Sequence, residues 1–162
     1  MNSKTNTKKS LIIILAIIVS MSRNTEADFT LGEPVNLGPP VNTSVTEVAG
    51  SISADGLSLY FSDGPWVLAP GGYGGGDLWV TKRASKDEPW GEPVNLGSVV
   101  NSTYNDATPS VSADGLLLFF LSNRPDGHGG EDIYVSKRET IDSEWSAPVN
   151  LGPAVNSSAA EV

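Results

Sequence analysis

Apolar residues in this chain come in short bursts set between glycine and proline, with no helical period beyond one N-terminal run. LSLYF (57–61) and LLLFFL (116–121) read as strands. The second is apolar at every position, so it needs cover on both faces rather than a place in a half-exposed sheet. Each follows a Ser-Ala-Asp-Gly turn, in which Gly56 or Gly115 supplies the positive φ that a tight hairpin demands of its turn residues. The stretches before those turns, Ala49–Ser53 and Thr108–Ser112, are the partner strands. DLWVTKR (77–83) and DIYVSKR (132–138) start apolar and end basic, the pattern of a strand that runs from a core to a rim. A PVNL stretch after Trp90 or Trp145 completes each set of four.

The sets are repeats. EPVNLGPPVNTSVTEVAGSISADG (33–56) returns 59 residues later as EPVNLGSVVNSTYNDATPSVSADG (92–115). PGGYGGGDLWVTKR (70–83) returns after 55 residues as PDGHGGEDIYVSKR (125–138), and WGEPVNLGSVVNST (90–103) as WSAPVNLGPAVNSS (145–158). The four extra residues of the first unit fall in the loop DGPWVLA (63–69), where a stacked repeat tolerates them. Repeat 1 thus covers 33–90, repeat 2 covers 91–145, and 146–162 opens a third. Four antiparallel strands buried on both faces and recurring at this length suit a propeller blade. A solenoid repeats faster, and a sandwich does not repeat its sequence. The expected fold class is all-β, as four-stranded antiparallel blades of an incomplete propeller. Two blades alone would leave apolar faces and strand edges open, so the chain reads as a fragment of a larger ring.

Other features fix the compartment. Lys4, Lys8 and Lys9 precede the apolar run LIIILAIIV (11–19), and polar SMSRNTEAD follows it. These are the parts of a secretory signal, expected to end at Thr25-Glu26-Ala27, with Ser20 and Ser22 as rival sites. The alternative is an uncleaved N-terminal anchor, although the run is shorter than the roughly 20 residues that a spanning helix needs. Residues 1–27 hold four of the ten basic residues and one of the nineteen acidic ones; without them six bases face eighteen acids, a net charge of −12. An acidic surface repels phosphate backbones and anionic lipid, so nucleic acid is excluded as a partner, as is a membrane beyond the signal segment. Absence of cysteine removes disulfides, thiol catalysis and cysteine-ligated zinc.

Pro109, Ser110, Ser112, Asp114, Gly115, Leu118, Phe120, Ser122, Asn123 and Arg124, then Gly129, Gly130 and Asp132-Ile133-Tyr134-Val135, resemble the TolB-type WD40-like propeller repeat. Its pattern is roughly P-x-x-S-x-D-G-x-x-L-x-F-x-S-x-R, a glycine-rich loop, then D-I-Y. The first unit departs from it: Gly50 stands for the proline, and Asp63-Gly64-Pro65 for Ser-Asn-Arg. The resemblance spans 33–162. It implies an exported protein, periplasmic or secreted, of a kind that occurs as a scaffold, beside peptidoglycan-binding domains, and as the non-catalytic part of some peptidases.

No catalytic constellation accompanies the repeat. His128 is the sole histidine, on a glycine-rich loop, and its counterpart is Tyr73. There is no G-x-S-x-G elbow and no zinc set. No opposed carboxylate pair is assigned for glycoside hydrolysis, because acids such as Asp55 and Asp114 belong to turns. Asp77 and Asp132, next to GGYGGG and GHGGE, are the calcium candidates, but neither fits a calcium-binding nonapeptide in register, and both are better read as capping a loop or starting a strand. Asp55, Gly56, Asp77, Asp114, Gly115, Asn123, Arg124 and Asp132 are therefore expected to be structural. Asn42, Asn101 and Asn156 match the glycosylation tripeptide but recur in register, which predicts side chains closing local turns. The expectation is a non-enzymatic scaffold or binding module without cofactor, whose loops take a protein or a cell-wall-associated ligand. The alternative is the propeller portion of a larger peptidase or carbohydrate-active enzyme.

Overall fold

A computed structural model describes residues 33–64 and 69–161. The expected signal segment and residues 65–68 of the longer first loop lie outside them. Glu33–Val35 group with an N-terminal unit, Met1–Val35, and are exposed and irregular; everything below concerns the unit that starts at Asn36.

Eight strands form two sheets: β1 (Glu47–Ile52), β2 (Ser58–Asp63), β3 (Leu78–Lys82) and β4 (Val94–Asn95), then β5 (Asp106–Val111), β6 (Leu117–Ser122), β7 (Asp132–Lys137) and β8 (Val149–Asn150). Each sheet is a four-stranded antiparallel meander in sequence order, and no helix occurs among the described residues. The protein is all-β, and the two sheets have the form of consecutive blades in an incomplete propeller.

The hairpin turns are as the sequence predicts, with Gly56 at φ 76° and Gly115 at φ 72°. The first and fifth strands start two residues before the expected Ala49 and Thr108, because each carries a bulge, between Val48 and Ser51 and between Ala107 and Ser110. The bulge sets different demands in the two blades. A Cβ on Gly50 would lie 1.8 Å from the Tyr60 carbonyl oxygen, so the proline that stands at Pro109 cannot stand there. The fourth strands shrink to two residues. Pro93 and Pro148 have no N–H to add to the ladder, and the Asn95 and Asn150 side chains turn the chain by accepting the N–H groups of Gly97 and Gly152. PVNL at 34–37, which repeats the fourth-strand sequence, joins no strand among the described residues and is irregular.

The sheets stack with different faces together. Tyr60, Leu78 and Val80 of the first blade pack against Leu118, Phe120 and Tyr134 of the second, and Val100 and Trp145 belong to the same cluster. Trp145 meets Tyr60 edge-on at 6.3 Å between ring centroids. Each such buried side chain contributes about 1.5–3 kcal/mol relative to exposure. Two polar contacts fix the register of the stack. The Val111 N–H donates to Ser51 Oγ at 2.8 Å, and Gly76 bridges Asn105 in parallel. The opposite face of the second blade, including Phe119, Leu121 and Ile133, stays partly open.

Candidate functional site

The motif residues fall at the two ends of the blades. At the turn end, Asp55 Oδ1 accepts from the Ser53 hydroxyl and from the Leu57 N–H, and Asp114 does the same with Ser112 and Leu116. For both aspartates the serine hydroxyl and then the backbone N–H hold the carboxyl below its ordinary value. Arg83 and Arg138 clasp these turns. Their Nε atoms donate to the carbonyls of Gly56 (2.8 Å) and Gly115 (2.7 Å), and their guanidinium planes lie 4.3 Å from the rings of Trp90 and Trp145. A polar cleft of 280 Å³ between the two turns is lined by Asp55, Lys82, Asp114, Arg138 and Asp142. It falls short of the roughly 300–1,000 Å³ typical of small-molecule sites.

At the loop end, the recurring asparagines do more than close turns. The Asn101 amide accepts from the Leu78 N–H at 2.8 Å and donates to the Leu78 carbonyl at 3.0 Å, while Asn156 pairs in the same way with Ile133. Each acts as an added ladder residue for a strand 23 positions back, which corrects the expectation of a purely local role. The local turn belongs to Asn95 and Asn150, whose Oδ1 atoms also receive the Asn101 and Asn156 amides at 2.8 Å. Among the described residues the Asn42 side chain keeps only that last contact, to Asn36 at 2.7 Å.

Asp132 opens β7 and Asp77 immediately precedes β3; both are 1% exposed. Their oxygens are turned inward to the chain. Asp132 accepts the N–H groups of His128 and Gly129 and the Asn150 amide. Burial acts to raise its carboxyl, but these donors outweigh it and hold Asp132 below the ordinary value. Asp77 accepts the Tyr73 N–H and, at 3.4 Å, Asn95. Burial pushes its carboxyl up, the Tyr73 N–H offsets part of that, and the charges of Asp63 and Asp106 add to the rise. No group of three or more histidine, aspartate or glutamate side chains among the described residues is arranged to hold a metal. Asp77 and Asp132 are not brought together with further acids as a calcium shell.

Arg124 is the most connected motif residue. It bridges the buried Asp106 at 2.6 Å, donates to the Val100 carbonyl and to Ser122 Oγ, and lies 4.9 Å from the Tyr134 ring and 5.6 Å from that of Phe120. Asn123 accepts the Asn105 N–H. Nothing in the sequence set Asp106 apart from other acids. Its signal lies in the repeat, where Glu47 occupies the same place and likewise accepts an N–H four residues back, from Thr43. Tyr73 and His128 are exposed on the two glycine-rich loops.

The residues gathered here hold backbone and loops in place; they define a repeated all-β module that presents two similar loop sets. No family model, no curated protein and no solved structure matches the chain. No helix among the described residues is long and apolar enough to cross a membrane.

Proposed function

We propose that this chain is an exported, non-enzymatic scaffold or binding module of TolB-like WD40-type propeller repeats, and that its loops take a protein or a cell-envelope ligand. One observation carries the proposal. The motif aspartates and Arg124 are engaged with the chain's own backbone and neighbouring side chains, Asp77 through Oδ2 alone, while the loops at 70–76 and 125–131 project exposed Tyr73 and His128. Export follows from the basic and apolar pattern of residues 4–19.

The test is co-sedimentation of the purified chain with isolated peptidoglycan sacculi and with washed envelope membranes. Tyr73→Ala combined with His128→Ala is expected to reduce the bound fraction at least fivefold while leaving thermal unfolding unchanged. Binding that is absent, or indifferent to the loops, would overturn the proposal. So would a hydrolytic activity that Asp132→Asn abolishes with the fold intact.

A further inference from the structure

The second blade contains a bound guanidinium of its own, and the first blade contains the corresponding site without one. In the second blade Arg124 sits against Phe120 and Tyr134 and pairs with Asp106, beside Ser122. By the register of the repeat these four correspond to Phe61, Trp79, Glu47 and Asp63. The same four residues line a cavity of 180 Å³ in the first blade, together with Thr43 and Glu92. In sequence, Pro65 stands where Arg124 does.

The chemistry has shifted with the vacancy. The second blade sets one carboxylate, Asp106, against one arginine. The first-blade cavity is lined by Glu47, Asp63 and Glu92, with no lysine or arginine among the described residues of its walls. Burial pushes the Asp63 carboxyl up, the Asp77 N–H and the Trp79 side chain offset part of that, and the Glu47 charge adds the smallest contribution to the rise. A cation placed there would balance the acids that line the cavity. The walls choose the kind of cation. Two aromatic rings favour a flat, weakly hydrated guanidinium over a compact ammonium, and the carboxylates suit its fork of donors. A metal ion is a poorer fit, since no group of three or more acids among the described residues is arranged to hold one.

We infer that the cavity bounded by Phe61, Trp79, Glu47 and Asp63 is a binding site for the guanidinium of an arginine side chain presented by another polypeptide. The site goes beyond the scaffold proposal and stands whatever the glycine-rich loops bind.

The probes are N-acetyl-arginine amide and N-acetyl-lysine amide, titrated at matched ionic strength into the 15N-labelled chain. The Trp79 indole resonance is followed, assigned by its loss in Trp79→Leu. Saturable shifts are expected with the arginine probe, at least fivefold tighter than with the lysine probe and weakening as pH falls toward the carboxylate range. Glu47→Gln, which keeps the oxygen that accepts from Thr43, is expected to weaken arginine binding at least tenfold. Its circular dichroism should be unchanged. Glu144→Gln, an exposed acid elsewhere, is expected to leave binding as it is. The proposal is overturned by a shift that does not saturate, by equal affinity for the two probes, or by binding that survives Glu47→Gln. Loss of sacculus binding with arginine binding intact would sink the scaffold proposal alone.

Discussion

In the second blade the Asp132 carboxylate collects two backbone N–H groups and an asparagine amide at 2.9 Å, whereas Asp77, its counterpart, has one N–H group, an asparagine amide at 3.4 Å and two acidic neighbours. Linkage gives the two residues opposite pH dependences. Asp132 has a depressed folded value. Its contribution to stability is present above the ordinary carboxyl value of about 4 and is lost as pH falls through the folded value. Asp77 is raised. Its contribution is complete below about pH 4 and is lost as pH rises through the folded value. Urea unfolding from pH 3 to 7 should therefore show Asp132→Asn falling behind the wild type as pH rises, and Asp77→Asn gaining on it. Slopes of the same sign for both variants would refute the assignment. Sequence alone treats these aspartates as one motif position. What separates them is the smaller set of donors set against burial at Asp77, together with Asp63, which stands where the second blade has Ser122 and whose charge counts only once the strands are side by side.

At the scale of elements, the short fourth strand is held by its pairing with β3 and by an asparagine clasp. Asn101→Ala removes two hydrogen bonds to Leu78 and one to Asn95 from a buried site and should cost about 2–4 kcal/mol in a urea titration. Asn42→Ala, where the clasp grips no strand among the described residues, should cost less than about 1 kcal/mol. Equal costs would show that the contact with β3 contributes nothing. The strands and hairpins were legible because hydrophobic bursts and Asp-Gly turns are local signals. The clasp was not. Asn101 recurs in register, which announces a role, but its partner lies 23 residues away and is a backbone group with no identity to read. The bulges escaped for a similar reason, since Gly50 and Pro109 are different answers to one steric problem.

At the scale of the whole molecule, the second blade leaves Phe119, Leu121 and Ile133 partly open, the counterparts of the Tyr60, Ser62 and Leu78 positions that the first blade buries. Open apolar faces drive association. Sedimentation velocity over a hundredfold range of concentration should show growing particles, and Phe119→Glu should hold them to a single slow species. A wild-type chain that sediments alike at every concentration would contradict this.

The stack joins Tyr60, Leu78 and Val80 on one side to Leu118, Phe120 and Tyr134 on the other, so the two surfaces of a blade are a plug and a socket rather than mirror twins. Assembly built on such a contact has a sense of direction, like couplings on a train. It cannot pair two chains symmetrically through one patch. One altered chain can then end a row at one side and still extend it at the other.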